Sequence, residues 1–234
     1  METLTDTTVE YDLSQHTVRE LNAELHAPTA KNYKVLKPMG VHSVAVGIND
    51  DINVEIDGDV GYFCAGMHKT GKVTVNGMAG PGVAENMMSG VVHVKGHASQ
   101  SAAATAHGGL LVVDGNASTR CGISLKGGDI VVKGNIGAMS AFMAQAGRIV
   151  VCGDAGEALG DSIFEARLYV RGSVASLGAD CVAKEMREEH REELVQLLKD
   201  AGMEDEANDA AYVDSFTRYG SARTLYHFNS GESE

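Results

Sequence analysis

The chain has 234 residues, a formal net charge of −13 at pH 7 and glycine at 28 positions. The acidic excess argues against a protein that binds nucleic acid or an anionic membrane, because both attract Lys and Arg. The apolar fraction of 44% is too high for a disordered chain, and the glycines lack the every-third-residue period of collagen.

Residues 1–39 are expected to form an N-terminal flank with one short helix. Thr17 and Glu20 have the spacing of a capping box, in which each side chain satisfies a backbone N–H group at the start of a helix. The apolar residues that follow recur at helical spacing: Val18, Leu21 and Leu25. The pattern predicts a helix over about residues 17–26.

Residues 40–182 contain a 19-residue repeat that is marked by glycine. One series of coil-turn glycines keeps this spacing without an insertion: Gly58, Gly77, Gly96, Gly115, Gly134, Gly153 and Gly172. A second series keeps it until Ala166 takes the sixth place: Gly71, Gly90, Gly109, Gly128 and Gly147. Mostly β-branched residues lie two and four positions before each turn glycine, which puts both sets on one face of a strand.

This repeat predicts an all-β core, a right-handed parallel β-helix of the single-stranded type. It would have about seven 19-residue coils, with short N- and C-terminal α-helical flanks. A period of 19 does not accommodate the six-residue subperiod of left-handed hexapeptide helices, and the Asp series of calcium-binding nonapeptide repeats is missing. The right-handed choice follows from the strong preference of parallel crossover connections.

The position three before each turn glycine changes character along the rod. It is polar in the first three coils, as Glu55, Thr74 and His93. In the last four coils it is apolar: Val112, Val131, Val150 and Tyr169. An apolar strip on an outer face predicts a cover, either the C-terminal helix of the chain or a partner subunit. The four residues are therefore candidates for an interface.

Residues 183–234 form a more acidic C-terminal region, with 6 basic and 13 acidic side chains. A helix is predicted over 183–201, followed by Gly202 as a stop signal. Its apolar side consists of Met186, Leu194, Leu197 and Leu198. Aromatic and arginine residues without a clear period follow, and we expect them to wrap the rod or reach a neighbouring subunit: Tyr212, Phe216, Arg218, Tyr219, Arg223 and Tyr226.

The sequence predicts no catalytic, cofactor-binding or metal-binding residue. The four cysteines form no Cys-x-x-Cys pair and are expected to be buried thiols: Cys64, Cys121, Cys152 and Cys181. His93 and His97 are four apart, but the turn at Gly96 argues against a helical zinc pair. No apolar run is long enough to span a membrane and the start of the chain lacks the apolar core of a signal peptide, so we expect a cytoplasmic protein.

Two clusters in the return segments of the coils are candidates for a role beyond packing in the core. They are Asn86, Met87 and Met88, and then Met139, Phe142, Met143 and Gln145. Methionine fills gaps in cores and also adapts to partners at interfaces. The clusters are therefore core residues, or else a subunit contact or the lining of a passage to the site of a partner.

Four segments outside the simple repeat carry a family resemblance: residues 42–47, 83–90, 139–147 and 218–223. With the repeat, they make the chain similar to the Gly-x-Gly-x-Gly β-helix of the glutamate synthase large subunit. The four segments resemble more narrowly the stand-alone β-helix subunit of N-methylglutamate synthase. The same domain family includes the C subunit of formylmethanofuran dehydrogenase, an enzyme that uses tungsten or molybdenum.

The resemblance implies a non-catalytic subunit that scaffolds a split, glutamate-synthase-like enzyme. One partner would resemble a class II glutamine amidotransferase, and another would bind FMN and an iron–sulfur cluster. The complex would combine methylamine and glutamate into N-methylglutamate and ammonia. The alternatives are the formylmethanofuran dehydrogenase subunit, an unassigned β-helix interaction module, and a β-helix enzyme that acts on acidic polysaccharide through an outer groove.

Overall fold

The computed structural model describes residues 4–223 as one long sheet, with helices in the N- and C-terminal regions of the chain. In chain order the elements are β1 (Thr5–Asp12), α1 (Val18–His26), β2 (Ala30–Leu36), β3 (Asn53–Asp57), β4 (Lys72–Val75), β5 (Val91–Val94), β6 (Leu110–Val113), β7 (Lys126–Val132), β8 (Ala146–Val151), β9 (Arg167–Val170), β10 (Cys181–Lys184), α2 (Glu188–Asp200), α3 (Glu204–Asn208), α4 (Ala210–Asp214) and β11 (Thr217–Ser221). The strands follow one another in the sheet up to β9, after which the order is β11 and then β10.

The strands β3 to β9 form a parallel β-solenoid of about seven turns, which confirms the predicted fold class. Partner residues in neighbouring strands are 19 positions apart, as in Val54 beside Val73 and Val73 beside Val92. The residues two and four positions before each turn glycine are buried in one continuous core. The repeat therefore has a direct physical basis, because each coil adds one strand to the same sheet.

Close contacts between coils require both glycine series, and the second series is also required by its backbone conformation. The turn glycines stack directly, and the N–H of Gly96 donates to the carbonyl of Gly77 at 2.9 Å. A Cβ atom on Gly134 would lie 2.8 Å from the carbonyl oxygen of Gly115, so no side chain fits. In the second series an added Cβ atom would also be too close, as at Gly71, where it would lie 2.2 Å from the carbonyl oxygen of Ile52. These glycines have left-handed backbones as well, with φ of 76° at Gly71 and 79° at Gly90.

The return segments contain left-handed residues that are not glycine. Ala84 and Asn86 both have φ of 57°, a conformation that costs roughly 1–2 kcal/mol for an L-residue. Their N–H groups donate in opposite directions, from Ala84 to Cys64 of the preceding coil and from Asn86 to Ala104 of the next. Hydrogen bonds to both neighbouring coils therefore hold this alternating backbone in place.

The N-terminal flank contains the predicted helix but also joins the sheet. The capping box is present, since Thr17 N donates to Glu20 Oε2 at 2.7 Å and Glu20 N donates to Thr17 Oγ1 at 3.3 Å. In addition β1 pairs with β2, and β2 pairs with β3, all in parallel. Tyr33 lies beside Val54, an offset of 21 residues, so the 19-residue period did not reveal these strands.

The C-terminal region differs from the prediction at its start. The helix α2 begins at Glu188 rather than at residue 183, because Cys181–Lys184 pairs as β10 with β11. The strand β11 is antiparallel to both neighbours and places Arg218 beside Tyr169 of β9. Gly202 follows the helix with φ of 72°, as expected for a stop. Tyr226 lies outside the described residues.

Candidate binding surfaces

The outer apolar strip is covered by the chain itself. Its members are at most 2% exposed: Val112, Val131, Val150 and Tyr169. They share a buried cluster with residues of α2 and the segments after it, including Leu194, Leu197, Leu198, Val213 and Phe216. Of the two predicted covers, the chain's own helix is confirmed. The suggestion that these four residues contact a partner is therefore wrong, because helices of the same chain fill that surface.

Glu193 fixes this cover by a network of charged hydrogen bonds. Its carboxylate accepts from Arg167 Nη2 at 2.7 Å, Arg148 Nη1 at 3.2 Å and the Tyr169 hydroxyl at 2.5 Å. Burial alone would raise the pKa of Glu193, but hydrogen bonds from Tyr169 and Arg167 outweigh it and hold the pKa below its usual value. The carboxylate is therefore charged and engaged at neutral pH.

The two return-segment clusters lie at equivalent positions of different coils. Asn86 and Met143 occupy one repeat position and Met88 and Gln145 another, each pair three coils apart. At about 4.8 Å per strand this separation is roughly 14 Å, so the clusters do not merge. Met87 is buried in the core, whereas Met88 and Met143 are about half exposed.

The other members of the second cluster differ in exposure. Met139 and Phe142 are half-buried, and Gln145 is exposed. The cluster therefore combines partly covered side chains with solvent-facing ones, and it leaves both predicted roles open.

An exposed apolar surface adjoins the first cluster, and only its member Asn86 was among the residues predicted from the sequence. We define the aromatic patch as His42, Tyr62, Phe63, Met67 and Asn86. Phe63 and Met67 are 50% and 54% exposed, and the rings of His42 and Tyr62 stack at 4.5 Å. A cleft of about 230 Å³ is lined by Phe63, Met67 and Asn86 among others. The available signal was the adjacent Tyr62 and Phe63 in a chain with only 5% aromatic residues.

The four cysteines are enclosed in the protein. All four cysteines are free and buried, and burial raises the pKa of the Cys64 and Cys121 thiols to about 12. Protonated, enclosed thiols are poor nucleophiles and ligands. Within residues 4–223 no group of three or more His, Cys, Asp or Glu side chains is arranged to hold a metal ion.

His93 and His97 serve separate contacts. The His93 Nε2 atom lies 2.9 Å from Asp114 Oδ1, and the His97 ring accepts from the backbone N–H of Asn116. The structure thus gives each ring its own hydrogen-bond partner across a coil boundary.

On the outer face of the early coils, the carboxylates of Glu55 and Asp57 both accept from the side-chain amide of Asn76, at 2.6 and 2.8 Å. Asp57 pairs with Lys34 at 3.2 Å and Asp114 pairs with Lys133 at 2.9 Å. Asp57 and Asp114 are three coils apart, roughly 14 Å, which is beyond the separation at which two carboxylates flank a glycosidic bond. Asp57 and Asp114 therefore serve side-chain contacts between coils and do not form a pair that could flank a glycosidic bond.

The fold and these surfaces define the class of the protein: a parallel β-solenoid with a helical cover over the outer face of its later coils. No protein-family model matches the chain. The protein GlxC of Rhizobium meliloti (strain 1021) is 59% identical over 222 residues, which cover 93% of this chain and 95% of GlxC. The chain therefore belongs to the GlxC family. Among the described residues, no helix combines the length and apolarity needed to cross a membrane.

Proposed function

We propose that this chain is the non-catalytic structural subunit of an N-methylglutamate synthase complex. The complex would convert methylamine and glutamate to N-methylglutamate and ammonia. The observation that carries the proposal is the aromatic patch. Its cleft is lined by residues of 42–47 and 83–90, two of the segments that resemble the β-helix subunit of that enzyme.

The chemistry belongs to the partners in this proposal. A class II glutamine-amidotransferase-like subunit would handle the amide or amine, and a glutamate-synthase-like subunit would hold FMN and the iron–sulfur cluster. This chain would bind both subunits and hold them in a fixed position relative to each other. The raised thiol pKa values and the engaged carboxylates of the described residues agree with such a role.

The proposed docking surface is formed by the return segments of the coils, which carry the aromatic patch and the cluster that begins at Met139. Exposed aromatic and methionine side chains are suited to partner contact, since aromatic residues dominate interface energetics and methionine adapts to different shapes. The aromatic patch supplies one contact. The cluster of Met139, Phe142, Met143 and Gln145, several coils further along the same surface, supplies a second contact or lines a passage for ammonia or amine.

Co-expression with the two adjacent reading frames tests the proposal, with an affinity tag on this chain alone. We expect both partner polypeptides to co-elute, with flavin and iron–sulfur absorbance in the visible spectrum. Methylamine and glutamate would then be the substrates to assay. A colourless chain that elutes alone would contradict the proposal, and a molybdenum- or tungsten-containing partner would favour the formylmethanofuran dehydrogenase alternative.

A double substitution locates the contact. Phe63→Ser with Met67→Ser removes the most exposed apolar side chains of the aromatic patch, and we expect recovery of a partner to fall by at least about tenfold. The matched control is Met78→Ser, because Met78 is 48% exposed, follows a turn glycine directly and lies outside the patch and its cleft. Equal recovery with all three proteins would exclude the aromatic patch as the contact.

A further inference from the structure

A second cleft, at the C-terminal end of the solenoid, is basic although the chain is strongly acidic. It has a volume of about 780 Å³ and lies between β8, β9, β11 and the start of α2. Five cationic side chains line it: Arg167, Lys184, Arg187, Arg218 and Arg223. With a net charge of −13 on the whole chain, this cleft is a local reversal of sign.

Carboxylates compensate only part of this charge. Three of the five cations have acidic partners: Arg167 with Glu193, Arg187 with Glu189 and Arg223 with Asp180. Glu165 also lines the cleft. Within residues 4–223, Lys184 and Arg218 form no ion pair. These two side chains leave the cleft with uncompensated positive charge.

Arg218 is held in a position that suits a ligand. Its backbone is fixed in β11 beside Tyr169, and its Nε atom donates to the carbonyl of Glu185 at 2.9 Å. Its Nη groups meet no hydrogen-bond acceptor within the described part of the chain. Burial lowers the pKa of the guanidinium, and the charges of Arg187 and Arg167 lower it further. A negative ligand would relieve this repulsion.

Small residues in the lining of the cleft leave room for such a ligand. Four of them are Ala146, Gly147, Ala166 and Gly220. A guanidinium with free Nη groups presents a planar fork that matches two oxygens of a carboxylate or phosphate. The ammonium of Lys184 supplies a second charge without a fixed direction.

We propose that this cleft is a binding site for a small oxyanion of the phosphate or carboxylate class, with Arg218 as its bidentate contact and Lys184 as its second cation. The site is a property of this chain alone. It therefore does not depend on the proposed complex.

Calorimetric titration of the full chain with inorganic phosphate, and separately with succinate, tests the site at ionic strength held constant with sodium chloride. We expect saturable binding that weakens as salt is raised. Arg218→Met is expected to weaken it at least about tenfold, because charge-assisted hydrogen bonds are lost. Arg120→Met is the matched control, since Arg120 is exposed and lies outside the cleft.

Each outcome decides the question. Saturable binding of either probe that Arg218→Met loses and Arg120→Met retains supports the site, and the preferred probe identifies phosphate or carboxylate chemistry. No saturable binding to the wild type, or an equal loss in both variants, overturns it. Circular dichroism checks the folding of each variant, and Lys184→Met replaces Arg218→Met if the latter does not fold.

Discussion

Glu193 joins the helical cover to the sheet through one carboxylate. We expect Glu193→Gln to lower the free energy of unfolding by about 1–3 kcal/mol, because it weakens charged hydrogen bonds to Arg148 and Arg167 while both guanidiniums stay partly exposed. Glu192→Gln, on the exposed side of α2, is expected to stay within about 0.5 kcal/mol of the wild type. Denaturant unfolding at pH 7 measures both.

The stability difference between the wild type and Glu193→Gln should also depend on pH. The pKa of Glu193 is lowered in the folded state from 4.5. The contribution of this carboxylate to the free energy of unfolding is therefore complete above pH 4.5 and is lost as the pH falls through the folded-state pKa. The stability difference between wild type and Glu193→Gln should therefore shrink at acid pH. A difference that stays constant from pH 7 to about pH 3 would contradict the role assigned to this carboxylate.

Adjacent alanines in one coil differ in backbone conformation. Ala103 has φ of 51°, Ala102 does not have a positive φ, and both are buried. Glycine relieves the left-handed strain only at Ala103, while both changes remove a buried methyl group. We expect Ala103→Gly to be less destabilising than Ala102→Gly by about 1 kcal/mol, and thermal unfolding of the two variants tests this order.

At the scale of elements, the stacked turn glycines determine how closely coils approach. Gly134→Ala would place a Cβ atom against backbone of the preceding coil, so we expect a loss of several kcal/mol, on the order of a severe core mutation. Gly40→Ala is the control, because Gly40 has φ of 71° but no atom within 4 Å of an added Cβ. It should cost about 1 kcal/mol. Equal melting temperatures would contradict the close-packing explanation.

The 19-residue period predicted the strands of the solenoid because side chains and glycines repeat where coils stack. It missed β2, which is offset by 21 residues from β3, and β1, which is offset by 24 residues from β2 at Val9 and Tyr33. It also missed β11, which pairs antiparallel and belongs to no repeat. The start of α2 was placed too early because Met186 fits a helical spacing, whereas pairing with β11 holds Cys181–Lys184 extended.

The binding surfaces were harder to predict than the core. The covered strip was visible because apolar residues recur at one repeat position. The aromatic patch was not, since Tyr62 and Phe63 occur in one coil and have no aromatic counterparts one period later, at Pro81 and Gly82. The basic cleft combines Arg167 with Arg218, residues that only the insertion of β11 brings together.

Over the whole molecule, the inner and outer faces of the sheet should differ in how well they tolerate a charged substitution. Val132 is fully buried on the inner face, so Val132→Asp should prevent folding because an unpaired charge would be enclosed. Thr74 is half-buried on the outer face of a coil that α2 does not cover, so Thr74→Asp should change stability by less than about 1 kcal/mol. Cooperative unfolding of Val132→Asp would show that the assignment of the faces is wrong.

The position of β11 has a consequence for synthesis on the ribosome. Coils of a parallel solenoid can assemble one after another as they emerge, since each contacts mainly its neighbours. The edge of β9, however, receives its partner only after residues 217–221 have been translated. The nascent protein therefore carries an open edge on β9, a site for mispairing with other chains, until β11 pairs with it and leaves the short strand β10 at the end of the sheet.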